Sequence, residues 1–284
     1  MHREAIILQL EKNALHIGLE KPLKILHITD SHVALCDDRD NERKKALAKR
    51  FNSPDREKNL EEELAYGKEN CDLIVHTGDL IDFTSHANFD FARKILAEEK
   101  VFFAAGNHEF SQYVGEAYED FAYKMNSFRE MQPGLGAPLF FNTKTVGGVN
   151  FVSIDNSYHQ FEPWQLEKLK KEIEKGLPII LCLHVPLFEQ SLYDHHISLT
   201  SPGSSTYLAG CDEDHLPYDE WRAIEIRPRG VTTDMVAFIK SQPMIKAVLA
   251  GHVHFSFVSD IAPDKPQFVT GCGYAGIARE LTVD

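Results

Sequence analysis

Five short apolar runs recur along the chain, and each stops at side chains that favour metals. Residues 23–29 (Leu-Lys-Ile-Leu-His-Ile-Thr) lead into Asp30-Ser31-His32, residues 73–77 into Gly78-Asp79, and residues 101–105 into Gly106-Asn107-His108. Residues 179–183 lead into His184, and residues 247–250 into Gly251-His252-Val253-His254. Runs this short and this apolar predict buried strands. Ligands in open α/β sheets gather beyond the carboxyl ends of strands, so five strands ending in Asp, Asn or His are expected to converge on one crevice.

Helical patterns at about 87–99, 115–130, 163–175 and 232–241 alternate with strands near 101–105, 149–155, 179–183 and 246–250. That alternation predicts an α/β architecture. Phe140-Phe141, residues 255–259 and residues 267–270 read as strands without intervening helices, so a mixed or second sheet is expected. Residues 5–10 and 14–19 predict two short strands around Glu11-Lys12-Asn13, packed beside the strand at 23–29. The charged stretch between His32 and Leu73 predicts one or two solvent-facing helices broken at Ser53-Pro54. It mixes both signs, as a solvated face does.

The segment from Phe188 to Gly230 fits neither period. It holds His195-His196, Ser201-Pro202-Gly203-Ser204-Ser205, Asp212-Glu213-Asp214 and Arg227-Pro228-Arg229. An excursion of this length in a compact domain points to a substrate-facing lid at about 188–230. No linker divides the candidate ligands, so residues 1–284 are expected to form a single domain.

Composition narrows the function classes. A hydrophobic share of 43% supplies a sizeable core without staples. Cys36, Cys71, Cys182, Cys211 and Cys272 form no CxxC pair, and their odd number argues for reduced thiols. Neither Cys182, inside a strand, nor Cys272 is expected to be a ligand or nucleophile. The first ten residues resemble no signal peptide, and no apolar stretch reaches the roughly 18 residues of a membrane span. A cytoplasmic protein is the expectation. The formal charge of −13 argues against duplex nucleic acid as a partner but is compatible with a small phosphorylated substrate.

Asp30 and His32, one residue apart after a strand, can turn toward a common ion if the chain bends there. Gly78 lets the loop carrying Asp79 approach an ion closely, and the Asp79 carboxylate has two oxygens with which to bridge neighbouring cations. Asn107 offers a neutral oxygen. His184, His252 and His254 offer imidazole nitrogens, suited to Zn, Fe, Ni and Co, with Mn favoured by the accompanying oxygens. His27 and His76 lie inside strands, where packing explains them. Asp82 is expected to cap the following helix. Glu109 is expected either to orient His108 or to stand exposed without a task, and Asp155-Asn156-Ser157 follow a strand where they could support the site by hydrogen bonds. Arg222, Arg227 and Arg229 could hold a substrate phosphate, but surface exposure is the expectation.

The succession Asp30-x-His32, Gly78-Asp79, Gly106-Asn107-His108-Glu109, His184 and Gly251-His252-x-His254 resembles the calcineurin-like metallophosphoesterase superfamily. The resemblance covers roughly residues 24–255. It implies a four-layer α/β/β/α sandwich of two mixed sheets flanked by helices, and two divalent metal ions per chain. One ion would be held by Asp30, His32, Asp79 and His254, the other by Asp79, Asn107, His184 and His252, with Asp79 shared. Two divalent cations against only two carboxylates leave positive charge for a hydroxide and a phosphate. The implied reaction is hydrolysis of a phosphodiester or phosphomonoester by a metal-bridging hydroxide, with His108 assisting the leaving group. Two alternatives use the same fold: a non-catalytic scaffold that binds protein partners, and a nuclease. Retention of every ligand position and His108 argues against the first, and the acidic balance against the second.

Overall fold

The protein, seen here as a computed structural model, is described over residues 8–114, 120–200 and 207–284. Two mixed sheets stack face to face. The first has the order β1 (Gln9–Leu15), β11 (Ile277–Val283), β2 (Leu23–Ile28), β3 (Leu73–His76), β4 (Val101–Phe103), with β2, β3 and β4 mutually parallel and β11 antiparallel to β2. The second has the order β5 (Phe141–Val146), β6 (Val149–Ile154), β7 (Ile179–Cys182), β8 (Ile245–Ala250), β10 (Lys265–Val269), β9 (Phe257–Ala262). There β6, β7, β8 and β10 run parallel, between the antiparallel edges β5 and β9. The helices are α1 (Glu42–Phe51), α2 (Pro54–Asn70), α3 (His86–Leu96), α4 (Phe121–Leu135), α5 (Pro163–Ile173), α6 (Gln190–Leu199), α7 (Glu220–Ile226) and α8 (Gly230–Ser241).

The runs are apolar at consecutive positions because both faces of each central strand are covered. Alternate residues of β2, β3 and β4 go to opposite sides. Leu26, Ile28, Ile74 and Phe103 pack against α2 and α3 through Leu60, Leu64, Ala92 and Ile95. Ile25, Leu73, Val75 and Phe102 instead meet Phe151, Ile180, Cys182 and Leu249 of the second sheet. The far face of that sheet, with Val152, Ile154, Leu181 and Val248, packs on Leu169 of α5 and on Met235 and Ile239 of α8. The result is the α/β/β/α sandwich. Phe102 sits in the central layer with its ring 6.4 Å from that of Phe151, and truncating it to Ala would cost about 3–5 kcal/mol.

Several expectations need correcting. Glu11-Lys12-Asn13 is no turn but the middle of β1, an edge strand paired in parallel with β11 rather than beside β2. Its polar residues suit an edge, where Lys12 pairs with Glu280 and Glu11 with Arg279. The beginning of the segment at 5–10 lies outside the described residues, as does the beginning of that at 115–130. The break at Ser53-Pro54 is the boundary between two helices, Ser53 capping α2 and Pro54 opening it. The Phe188 to Gly230 segment holds the helices α6 and α7. Its Ser201 to Ser205 run lies outside the described residues. All five cysteines are thiols outside any disulfide, and Cys182 lies in the inter-sheet core. Among the described residues no helix is long and apolar enough to cross a membrane.

Candidate metal centre

The carboxyl ends of β2, β3 and β4 in one sheet and of β7 and β8 in the other open at the same edge of the sandwich. The predicted crevice therefore lies between two sheets rather than along one. The loops after β2 and β3 continue strand-like pairing beyond the sheet. Asp30 N donates to Gly78 O at 2.9 Å, His32 N to Asp79 O at 2.8 Å and Val33 N to Leu80 O at 3.0 Å. Asp30, His32, Asp79, His252 and His254 all adopt left-handed backbone conformations, with φ between 47° and 70°. Non-glycine residues reach that region at a cost of roughly 1–3 kcal/mol each, and such strain clusters at functional sites.

Three donor groups are close enough to share an ion: Asp30, His32 and His254; His32, Asp79 and His108; and Asp79, His184 and His252. Asp30 Oδ1 lies 3.2 Å from His254 Nε2 and 3.7 Å from His32 Nε2, and those two nitrogens are 3.2 Å apart. On the other side, His184 Nε2 lies 3.2 Å from Asp79 Oδ2, 3.1 Å from Asn107 Oδ1 and 3.1 Å from His252 Nδ1. Asp79 Oδ2 is also 3.6 Å from His32 Nε2 and so faces both groups. A cation with bonds near 2.1 Å spaces its donors about 3.0–3.4 Å apart. Asp30 Oδ1, which faces the His254 and His32 imidazoles, is buried without a hydrogen-bond partner, so the donor set fits divalent cations.

Buttressing contacts assign the imidazole protons. His184 Nδ1 donates to the carbonyl of Thr77 at 2.7 Å, which turns the lone pair of a neutral Nε2 inward. His32 Nδ1 is 2.8 Å from Asp82 Oδ1, with the same effect. Burial opposes ionisation of Asp30 and Asp79, but neighbouring histidines outweigh it and hold both carboxyls well below the usual range. Burial likewise works against protonation of His184, yet the charges of Asp79 and Asp30 raise it to about 9.

The model of the calcineurin-like phosphoesterase family matches residues 23–256, a span that includes all seven candidate ligands. The chain belongs to that family.

No curated protein matches the chain in sequence. Among solved structures it is similar to a dimetal phosphatase from Danio rerio, at 14% identity and a TM-score of 0.48, covering 89% of this chain and 88% of that one. A putative 5'-nucleotidase from Staphylococcus aureus is 13% identical with a TM-score of 0.45, over 89% of this chain and 49% of that one. The NAD nucleotidase of Haemophilus influenzae is 16% identical with a TM-score of 0.46, over 92% and 52%. The chain thus spans about half the length of these two bacterial proteins.

Around the donors the chain has parts that its sequence left open or concealed. Asp82 does not cap α3, whose cap is Ser85. It holds His32, and its backbone carbonyl accepts from His108 Nδ1 at 2.7 Å while its carboxylate lies 3.3 Å from the same nitrogen. Burial opposes protonation of His108, but Asp79 and Asp82 raise it to about 10. Glu109 is fully buried, and its carboxylate faces backbone N–H groups rather than His108. Its Oε2 accepts from Gly106 N and Asp79 N, at 2.6 and 2.9 Å, and its Oε1 from Leu80 N and Ile81 N, at 2.8 and 3.3 Å. It clamps the loops after β3 and β4 together. Gly106 is required there, because a Cβ would stand 2.2 Å from Asp79 Oδ1.

Asn156 supports the second sheet's contribution. Its Oδ1 accepts from His184 N at 3.2 Å and Val185 N at 3.1 Å. His159 is buried with its ring 5.5 Å from that of His252, although no spacing in the sequence pointed to it. Tyr274 was also missed, and its ring lies 5.8 Å from His32 and 5.4 Å from His254. His27 and His76 are buried beneath the loops, where they hydrogen-bond with Thr77 and Ser31 as sheet packing requires. Above the donors opens a cleft of about 360 Å³, lined on the metal side by Asp79, Asn107, His108, His252 and His254.

Proposed function

We propose that the protein is a binuclear metal-dependent phosphohydrolase acting on a small phosphomonoester or phosphodiester. The observation that carries this reading is the single oxygen Asp79 Oδ2, 3.6 Å from His32 Nε2 and 3.2 Å from His184 Nε2, at the junction of two donor groups. Asp30, His32, Asp79 and His254 would hold one divalent cation, and Asp79, Asn107, His184 and His252 the other. Once bound, such a pair supplies an activated water and neutralises charge on the phosphoryl group.

The remaining duties fall to the chain's own groups. Asn107 adds a ligand oxygen without adding negative charge, so the centre keeps its attraction for phosphate. His108 has Nδ1 committed to the Asp82 carbonyl, which leaves Nε2 as the atom that holds and delivers a proton. Protonated under the influence of Asp79 and Asp82, it donates that proton to the departing oxygen. Asp82 orients both His32 and His108 and couples the ligand shell to the proton donor. The donors come from both sheets, which supports treating the chain as one catalytic unit.

A screen of p-nitrophenyl phosphate, bis-p-nitrophenyl phosphate and cyclic nucleotides across Mn²⁺, Zn²⁺, Ni²⁺ and Mg²⁺ tests the proposal. Hydrolysis of at least one ester that disappears on chelation is expected. The Asp79→Asn variant should lose metal at both positions by elemental analysis. Two full equivalents in that variant would sink the shared-ligand assignment.

A further inference from the structure

Part of the cleft wall facing the donors comes from α6, Tyr207 and α7. The residues concerned are His196 of α6, Tyr207 and Arg222 of α7. Tyr207 lies edge-on to the His252 ring at 5.6 Å and to the His196 ring at 5.8 Å, so it joins this wall to a candidate ligand. Arg222 is the one permanently charged cation among the described residues lining the cleft. In a chain with a formal charge of −13, a guanidinium beside a cationic centre is a specific placement rather than a consequence of composition.

That guanidinium is anchored. Its Nη1 donates to Glu225 Oε2 at 2.9 Å, one helical turn along α7, and Glu225 is nearly buried. The end of α7 is tied down in turn by Gln160, whose Nε2 donates to the carbonyls of Glu225 and Arg227, both at 3.0 Å. Gln160 belongs to the loop after β6 that also carries Asn156, which supports His184. Arg222 is therefore held in register with the donor set although it lies far from it along the chain.

Two divalent cations held by only two carboxylates would supply the charge that the scissile phosphoryl group needs. A further cation across the cleft has its use in the part of the substrate that departs. The cleft volume of about 360 Å³ is near the lower end of the roughly 300–1,000 Å³ typical of small-molecule sites, which suits a small phosphate ester. We propose that Arg222 is a specificity-determining residue that pairs with a second anionic group, a carboxylate or phosphoryl, on the leaving group. The preferred substrate is then a small phosphate ester whose leaving group is itself an anion. This inference rests on the phosphohydrolase reading. It requires Arg222 to make a charge-assisted contact, which the planar guanidinium suits better than an ammonium would.

The test compares phenyl phosphate with 3-carboxyphenyl and 4-carboxyphenyl phosphate, which share the ring and the scissile bond. With metal-loaded wild-type protein, at least one carboxylated ester should show kcat/KM about tenfold above that of phenyl phosphate. The ratio should fall to about one in Arg222→Gln, mainly through KM, and Arg222→Lys should retain part of it. The side chain is 37% exposed, so the substitution empties no core, and a thermal melt verifies folding. Equal kcat/KM for all three esters in the wild type, or a preference that survives Arg222→Gln, overturns the assignment while leaving the phosphohydrolase reading intact. No hydrolysis of any of the three, nor of any ester in the broader screen, overturns both.

Discussion

Glu109→Gln is the substitution whose consequence follows most directly from the geometry. Each carboxylate oxygen of Glu109 accepts from two backbone N–H groups, belonging to Gly106 and Asp79 on one side and to Leu80 and Ile81 on the other. Burial and the nearby Asp79 charge raise its carboxyl to about 7 against the pull of those N–H groups, so at pH 8 it is ionised. Glutamine replaces one oxygen with an NH₂ that is itself a donor. Whichever way the amide turns, two N–H groups lose their acceptor and face a donor instead. Orphaned buried donors cost about 1–3 kcal/mol each, so the expected loss is about 2–6 kcal/mol, a large part of the roughly 5–15 kcal/mol that stabilises a folded domain.

Urea titration of the chelated proteins at pH 8 measures this directly, with unchanged m-values as the check on two-state comparison. The pH dependence is a second test. Because the folded pKa lies above the unfolded value, the stability tied to the protonated carboxyl is present in acid and is lost as pH rises from about 4.5 to 7. Wild type loses this contribution between pH 5 and pH 8 while the non-titrating glutamine variant does not, so the deficit of Glu109→Gln should narrow over that interval. A difference below about 0.5 kcal/mol at pH 8 would refute the clamp.

The other predictions concern the chemistry of the centre. His108→Ala should lower turnover about 10²–10⁴-fold while elemental analysis finds the metal content unchanged; undiminished turnover would remove His108 from proton transfer. Asp82→Asn should weaken metal affinity or activity about 10–100-fold through the loosened His32 ring, and in the chelated protein NMR titration should find the His108 pKa below its value of about 10. His184, raised to about 9, must give up a proton to bind a cation, so calorimetry in buffers of different ionisation enthalpy should detect proton release near neutral pH and tighter binding up to about pH 9. The stability contributed by its raised pKa is full below about 6.5 and disappears as pH rises through 9. Gly106→Ala must displace Asp79, since the added Cβ would also lie 2.5 Å from Asp79 N; metal should be lost from both positions, and a variant that loads normally would contradict the packing.

The architecture and the convergence of the strand-ending Asp, Asn and His side chains were legible because both depend on local order. A central strand covered on two faces reads as an unbroken apolar run, and the residue that ends the run occupies the sheet edge wherever the strand lies. Asp82 and Glu109 were misjudged because their partners are loops that meet only in the folded chain. The turn at His108–Phe110 sends His108 to the cleft and its neighbour Glu109 inward. Sequence adjacency therefore suggested a contact that the turn prevents. Edge strand β1 was hidden because its polar centre imitates a turn, and the pairs that stabilise it lie across the full length of the chain, at Arg279 and Glu280. Helix α7 leaves Trp221 and Ile224 exposed, which removes the one-sided pattern by which a helix is recognised.

The left-handed backbone at Asp30, His32, Asp79, His252 and His254 has a consequence for engineering this protein. Glycine at any of these positions would relax the local conformation and remove a donor in one step. A directed-evolution campaign scored on melting temperature alone would therefore be drawn toward the very substitutions that erase the centre. Improved variants should be retained only if they also pass a metal-retention or turnover screen.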